Sequence, residues 1–288
     1  MDPLPLRLGL TMWSHNHWQQ TFYGRGTKNQ QRLEKYAQVF HTVEGNTTFY
    51  ATPTLNTVKN WAASIGEHFR FTFKLPQAIT HQRMLKSCHS ELNDFINIMS
   101  PLHEVIGQWS IQLPASFGPE HFDRLVYFCT LFPKDFNLGI EVRHPEFFRK
   151  GDAEKRLNHW LIEHGYKRTI MDSRRIFSAG ANSESIIDAQ KKKPKVPVHA
   201  IATAQRPMIR FIGHPEINEN MPFFEPWVSK IADWIEQGKQ PYFMVHTSDN
   251  LVAPDLALSL YNRLKKHTNL PDLATFPANN DHGQISIF

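Results

Sequence analysis

Eight short, β-rich apolar runs, each followed by a helical pattern or a long connection, constrain this chain more than any other feature. The strand-like runs are "LRLGLTMW" (6 to 13), "HTVEGN" (41 to 46), "FRFTFKL" (69 to 75), "IGQWSIQL" (106 to 113), "NLGIEV" (137 to 142), "KRTIMD" (167 to 172), "MIRFIG" (208 to 213) and "PYFMVH" (241 to 246). Amphipathic stretches fall between them at 30 to 40, 54 to 65, 90 to 102, 120 to 132, 152 to 164, 225 to 237 and 254 to 266. Each carries apolar residues at three- and four-residue spacing, as a helix burying one side does. The alternation predicts an α/β chain closed into a single parallel (β/α)8 barrel of the TIM type, one domain over residues 1–288. An open doubly wound sheet is the fallback. Such a sheet ordinarily brings a glycine-rich phosphate loop after its first strand, and "GLTMWSHNHW" holds no such loop.

Two connections exceed ordinary length: "SHNHWQQTFYGRGTKN" after the first strand, and the segment 173 to 207 between the sixth and seventh. In a barrel both emerge at the C-terminal mouth, where loops build binding sites and lids. The second is predicted to hold a short helix over "ESIIDAQKKK".

Strand period then assigns the inward face, because successive side chains point to opposite sides. In "FRFTFK" the three phenylalanines suit packing under helices, leaving Arg70, Thr72 and Lys74 toward the axis. The same count sends Gln108, Ser110 and Gln112 inward, and likewise Gly139, Glu141 and Arg143. It also places Thr42, Glu44, Asn46, Asp172, Arg210 and His246 inside. Almost every strand therefore ends on an inward ionisable or amide group. An unpaired buried carboxylate costs several kcal/mol, so Glu44 requires a compensating cation, expected to be Lys74, Arg143 or Arg210. One charged strand end is readily explained as a local ion pair; eight converging on one end are explained more simply by a ligand site.

The segments "VEGNTTFY" (43 to 50), "FKLPQAITH" (73 to 81), "QLPASFGP" (112 to 119) and "EVRHPEFF" (141 to 148) resemble the YecE-like family, known as domain of unknown function 72. "DSRRIFSA" and "DAQKKKPKVPVHA" resemble its YecE branch. The resemblance spans nearly the whole chain and implies a TIM-type barrel of bacterial origin, with no reaction assigned. Glu44, Asn46, Lys74, His81, Gln112, Glu141, Arg143 and Asp172 fall on matching positions.

Glu44 and Glu141 are candidates for a general acid and a general base, since two carboxylates in unlike surroundings hold different pKa values. Arg143 beside Glu141 keeps it ionised, as a base must be, which leaves Glu44 as proton donor. Lys74 serves as a Schiff-base amine if desolvated, or more simply as the charge partner of Glu44. Asp172 completes the catalytic set. Arg143 and Arg210 have planar forks suited to a carboxylate or phosphate. Asn46, His81, Gln112 and His246 line the substrate, and Trp13 with Tyr50 form an aromatic edge that competes with a plain packing role.

The net charge of +5 and pI of about 9.1 lean toward an anionic partner. The leading expectation is acid/base chemistry on a small anionic substrate resembling a sugar phosphate or sugar acid. A second enzyme reading places a divalent cation on Glu44, Glu141, Asp172 and His246, although no HExxH motif indicates a metal or other cofactor. A third, non-catalytic reading takes "KKKPK" (191 to 195) as a nucleic-acid contact, against the bland alternative of a solvated basic loop. Cys88 and Cys129 lie far apart and are expected to be reduced core residues. No apolar run of 18 residues and no signal-peptide pattern is present, so a cytoplasmic protein without a membrane partner is expected. The pattern leaves the oligomeric state open.

Overall fold

Parallel pairing runs unbroken around eight strands and closes on itself in the computed structural model, which describes residues 4–181 and 183–280. The strands are β1 (Arg7–Leu10), β2 (Thr42–Gly45), β3 (Arg70–Lys74), β4 (Ile106–Gln112), β5 (Leu138–Glu141), β6 (Lys167–Asp172), β7 (Met208–Gly213) and β8 (Tyr242–Thr247). Their spatial order is their chain order, and β8 pairs with β1 from Arg7↔Tyr242 to Leu10↔Val245. This is the predicted (β/α)8 barrel.

The helices are α1 (Arg32–Ala37), a short α2 (Thr47–Tyr50), α3 (Leu55–Ala63), α4 (His89–Met99), α5 (Phe122–Cys129), α6 (Asp152–Glu163), α7 (Arg174–Ser178), α8 (Glu184–Lys192), α9 (Met221–Glu236) and α10 (Ala253–Lys265). Strand phase works as the phenylalanines of β3 imply. Phe71 stacks on Phe73 at 5.0 Å and Trp61 of α3 stacks on Phe73 at 5.6 Å, so the outward face of the sheet joins the helices in one apolar layer. Trp109 of β4 likewise meets Phe95 of α4 and stacks on Phe136.

Gly9 sits where β1 crosses β2 most closely: a Cβ there would lie 2.1 Å from the carbonyl oxygen of Thr42. That oxygen belongs to a paired strand and has little room to retreat. Gly9→Ala is therefore expected to cost about 3 kcal/mol, the upper end for overpacking, read as a lowered urea midpoint at unchanged m-value.

The connection from β6 to β7 departs from the usual crossover helix. Helices α7 and α8 stay at the mouth, where Met171, Ile176, Ala189 and Ile212 form a small apolar cluster. The chain then returns to the N-terminal end of the barrel as an extended segment. Ser173 donates to the Pro194 carbonyl at the top, and Thr203 accepts from the Arg168 amide and donates to the Tyr166 carbonyl at the bottom. The predicted helix over "ESIIDAQKKK" forms, ending at Lys192. The long connection after β1 is packed rather than open, with Phe22 and Tyr23 buried and the Trp18 indole donating to the Asn250 carbonyl.

Candidate functional site

Each strand's register decides which side chain reaches the mouth, and six of the eight deliver one to it. Glu44 is the third residue of β2, Lys74 the last of β3, Gln112 the last of β4 and Glu141 the last of β5. Arg210 comes from the middle of β7 and His246 from near the end of β8. Arg143 follows β5 by two residues.

Arg210, 2% exposed, bridges the two carboxylates: its Nε lies 2.9 Å from Glu44 Oε2 and its Nη1 3.1 Å from Glu141 Oε2. Lys74 Nζ lies 3.2 Å from Glu44 Oε1. Glu141 Oε1 accepts from Arg143 Nε at 2.8 Å and from Gln112 Nε2 at 2.8 Å, with Arg143 Nη2 at 2.7 Å. Burial alone would raise both carboxyl pKa values. For Glu44 the Arg210 and Lys74 charges overcome it, and for Glu141 those of Arg143, Arg210 and Lys74, so both are held below the ordinary carboxylate range. The cation expected to compensate Glu44 is thus two cations, Lys74 and Arg210, while Arg143 serves Glu141.

A cavity of about 500 Å³ opens above this network. Its charged wall is made by Lys74, Arg143, Lys192, Lys193 and Arg210, with no carboxylate lining it among the described residues. Glu44 and Glu141 pair with three of those cations and leave one positive charge of the three uncompensated. His81 and His246 line the same space. Burial, with Arg143 nearby, lowers His81 to about 4, and burial with Lys193 and Arg210 holds His246 well below its usual value, so both imidazoles are neutral at pH 7. His81 Nδ1 pairs with Thr80 Oγ1 at 2.9 Å, whereas the buried Nδ1 of His246 has no partner among the described residues. Asn46 anchors β2 to β1 by donating to the Thr11 carbonyl and lines the cavity, as does the exposed Tyr50.

Three expectations change. Asp172 faces the helices, not the mouth: its carboxylate accepts from the Trp227 indole of α9 and from Arg174 in two bonds of 2.7 and 2.9 Å. The phase of β6 is set by Ile170, which packs outward, and Arg168 and Asp172 share that side. Glu44 carries no proton to donate near neutrality, because its two cations keep it ionised. Trp13 packs edge-on against Trp61 and Phe71 and borders a neighbouring cavity of about 330 Å³ rather than the cationic one.

The metal reading loses its donors for the same reasons. Glu44 and Glu141 are engaged by cations, Asp172 points away, and among the described residues no group of three His, Cys, Asp or Glu side chains stands together. Sequence reasoning missed Lys193, which it folded into a solvated basic run. Helical phase carries the missing signal: Ile186 and Ala189 are the buried positions of α8, and Lys193 lies four residues further on the same side. Burial and the nearby Arg210 and Lys74 charges lower it to about 7.

Fold and site together define a (β/α)8 barrel with a buried ion network under a cationic C-terminal mouth, the position at which such barrels carry their active sites. The chain belongs to the DUF72 family, described as a protein of unknown function, whose model matches residues 7–281. It is 44% identical over 271 residues to UPF0759 protein YecE of Escherichia coli K12, covering 94% of this chain and 96% of that one. A DUF72 family protein of Enterococcus faecalis V583 superposes with a TM-score of 0.70 at 20% identity, covering 94% of this chain and 98% of the other. One from Thermotoga maritima MSB8 gives 0.68 at 20% identity over 90% and 99% of the two chains. These two structures share the fold.

Proposed function

We propose that the protein is an enzyme that binds a small anionic substrate, of the sugar-phosphate or sugar-acid class, at the barrel mouth and acts on it by acid/base chemistry. The observation that carries this reading is the sidedness of the charge. Five cations line the cavity and neither Glu44 nor Glu141 does, Glu44 bordering the adjoining one instead. An anion entering the cavity meets donors already oriented by Glu44 and Glu141, so little reorganisation is needed on binding. The carboxylates are positioning groups in this scheme. Proton transfer falls to the groups that are neutral or titrate near pH 7 at the wall: His246, His81 and Lys193. A bacterial cytoplasm suits the reading, as Cys88 and Cys129 are both free and buried. Among the described residues no helix is long and apolar enough to cross a membrane.

The nucleic-acid reading has less support, because the basic run is not one solvent-facing stripe. Lys192 pairs with Asp188 at 2.8 Å, Lys193 enters the mouth and Lys195 lies over the Phe177 ring.

A thermal-shift screen of phosphorylated sugars and sugar acids tests the proposal, since a ligand at 100 times its Kd stabilises the folded state by about 2.7 kcal/mol. Lys193→Ala, which removes one charge-assisted contact, is expected to weaken the best hit by about 10- to 100-fold. Affinity should fall as pH rises from 6.5 to 8.5, because the free protein's Lys193 loses its proton at about 7 and an anion binds its charged form better. Lys193→Arg should flatten that profile. The reading fails if no anionic metabolite raises the melting temperature, or if the best hit binds Lys193→Ala unchanged.

A further inference from the structure

The opposite end of the barrel holds a second concentration of cations, and its chemistry differs from that of the mouth. A cavity of about 300 Å³ opens at the N-terminal face, bordered by Arg7 of β1, Arg70 of β3, Arg206 just before β7, Tyr242 of β8 and Glu104. Lys167, the first residue of β6 and 3% exposed, points inward beneath it. Its ammonium donates to the Gly107 carbonyl and lies 5.1 Å from the Tyr242 ring centroid. Gly107 and Tyr242 are both wall residues.

These cations are held in place by neutral groups. Arg7 donates to the His68 carbonyl. Arg70 donates to the carbonyls of Glu67 and Phe69, at 2.5 and 2.8 Å. Arg206 donates to the Gln240 side-chain oxygen at 3.3 Å. Among the described residues, no carboxylate lies within 4.0 Å of Arg7, Arg70, Arg206 or Lys167. At the mouth, Lys74 and Arg143 each have one and Arg210 has two. The bland explanation, that solvent screens each charge, suits Arg206, which is exposed. It does not suit Lys167, where burial and the Arg206 and Arg7 charges bring the ammonium down to about 7. Three guanidiniums bordering one pocket above a buried lysine repel one another, and Glu104, which shares that border, is not ion-paired with any of them.

The structure assigns to this N-terminal pocket a binding site for a small multivalent oxyanion of the phosphate class, held by Arg7, Arg70 and Arg206. Guanidinium forks match phosphate oxygens in bidentate fashion. The volume equals that of about ten waters, which admits inorganic phosphate, pyrophosphate or the phosphorylated end of a small metabolite. The site is independent of the substrate reading for the mouth and stands at the other end of the barrel.

Isothermal titration of the full chain with pyrophosphate tests it, with inorganic phosphate and citrate as further arms. The wild type is expected to show a binding event that survives Lys193→Ala at the mouth, weakens at least tenfold in Arg70→Gln and Arg206→Gln, and tightens severalfold in Glu104→Gln, which removes a lining carboxylate. Tighter binding of pyrophosphate than of citrate marks the phosphate class; the reverse order overturns that assignment in favour of a polycarboxylate. Arg206→Glu, an exposed charge reversal, gives the same reading should Arg70→Gln fold poorly. If Arg206→Gln and Arg206→Glu bind pyrophosphate as the wild type does, or if all binding disappears in Lys193→Ala, the N-terminal site is wrong.

Discussion

Replacing Arg210 by methionine is expected to destabilise the protein by about 4 kcal/mol at pH 7.5, the range for removing one partner of a buried ion pair. The side chain bridges Glu44 and Glu141 and is itself almost wholly enclosed. Without it Glu141 retains Arg143 and Gln112, but among the described residues Glu44 retains only Lys74 at 3.2 Å. The loss therefore falls mainly on Glu44. Its pH dependence follows from sign. In the wild type the folded-state pKa of Glu44 is depressed, so its contribution is fully present above the unfolded value of about 4.3 and is lost as pH falls through the folded value. In Arg210→Met burial prevails and the folded pKa rises, so protonation relieves the strain. The deficit relative to wild type should shrink between pH 7.5 and pH 5, measured by urea unfolding at each pH. Adding Glu44→Gln should recover at least 1 kcal/mol, as coupling between contacting charges predicts. A strictly additive double mutant, or a deficit that grows on acidification, would show that Arg210 does not neutralise Glu44.

On the proposed reading the ion network orients donors for a ligand as well as holding the strand ends together. A network built only for stability gains nothing from leaving its cations at a cavity wall and its anions beneath. Here Lys74 and Arg143 each present one side to a carboxylate and another to open space. Ion pairs of this kind contribute little net stability, because desolvation offsets most of the attraction. They do fix the direction of the donors, which is what a binding site requires.

Strand phase made most of this legible in the sequence. The outward phenylalanines of β3 fixed Lys74 as inward, and the apolar alternation of β4 and β5 did the same for Gln112 and Glu141. It failed on β6, where Arg168 and Asp172 share the outward phase with Ile170 and each finds a tertiary partner, Glu154 and Trp227 respectively. A buried charge on the helix side is invisible to a rule that sends polar residues toward the axis. Lys193 was hidden differently, because a run of lysines reads as solvated unless the phase of the preceding helix is followed into it. The pattern paired Lys74 with Glu44 and Arg143 with Glu141, but it did not disclose that Arg210 bridges both carboxylates. That bridge depends on side-chain reach from β7 across to β2 and β5, which spacing along the chain does not give.

Glu154→Gln supplies the second large effect, far from the mouth by contact but joined to it through the chain. Glu154 of α6, 2% exposed, accepts from Arg168 Nη1 at 3.0 Å, His199 Nδ1 at 2.5 Å and the Lys150 amide at 2.8 Å. Burial would raise its pKa, but His199, the Lys150 amide and Arg168 together lower it. Arg168 also donates to Asn158 and to the Phe147 carbonyl, and it cannot give up its charge. The glutamine leaves that guanidinium buried without a counter-ion, so a loss of about 3 kcal/mol is expected. His199 belongs to the extended return from α8 to β7, where no helix provides its own hydrogen bonds. Removing the Glu154 anchor should therefore raise amide exchange across residues 194–205 more than in β4 or β5. Lys193 lies at the upper end of that return, so the variant should also weaken the mouth ligand that Lys193→Ala weakens. His199→Asn, which keeps the Glu154–Arg168 pair, should lose about 1 kcal/mol, an ordinary hydrogen bond, with the exchange effect confined to the same segment. Equal protection of 194–205 in Glu154→Gln and the wild type would mean that the segment is held by its apolar contacts alone.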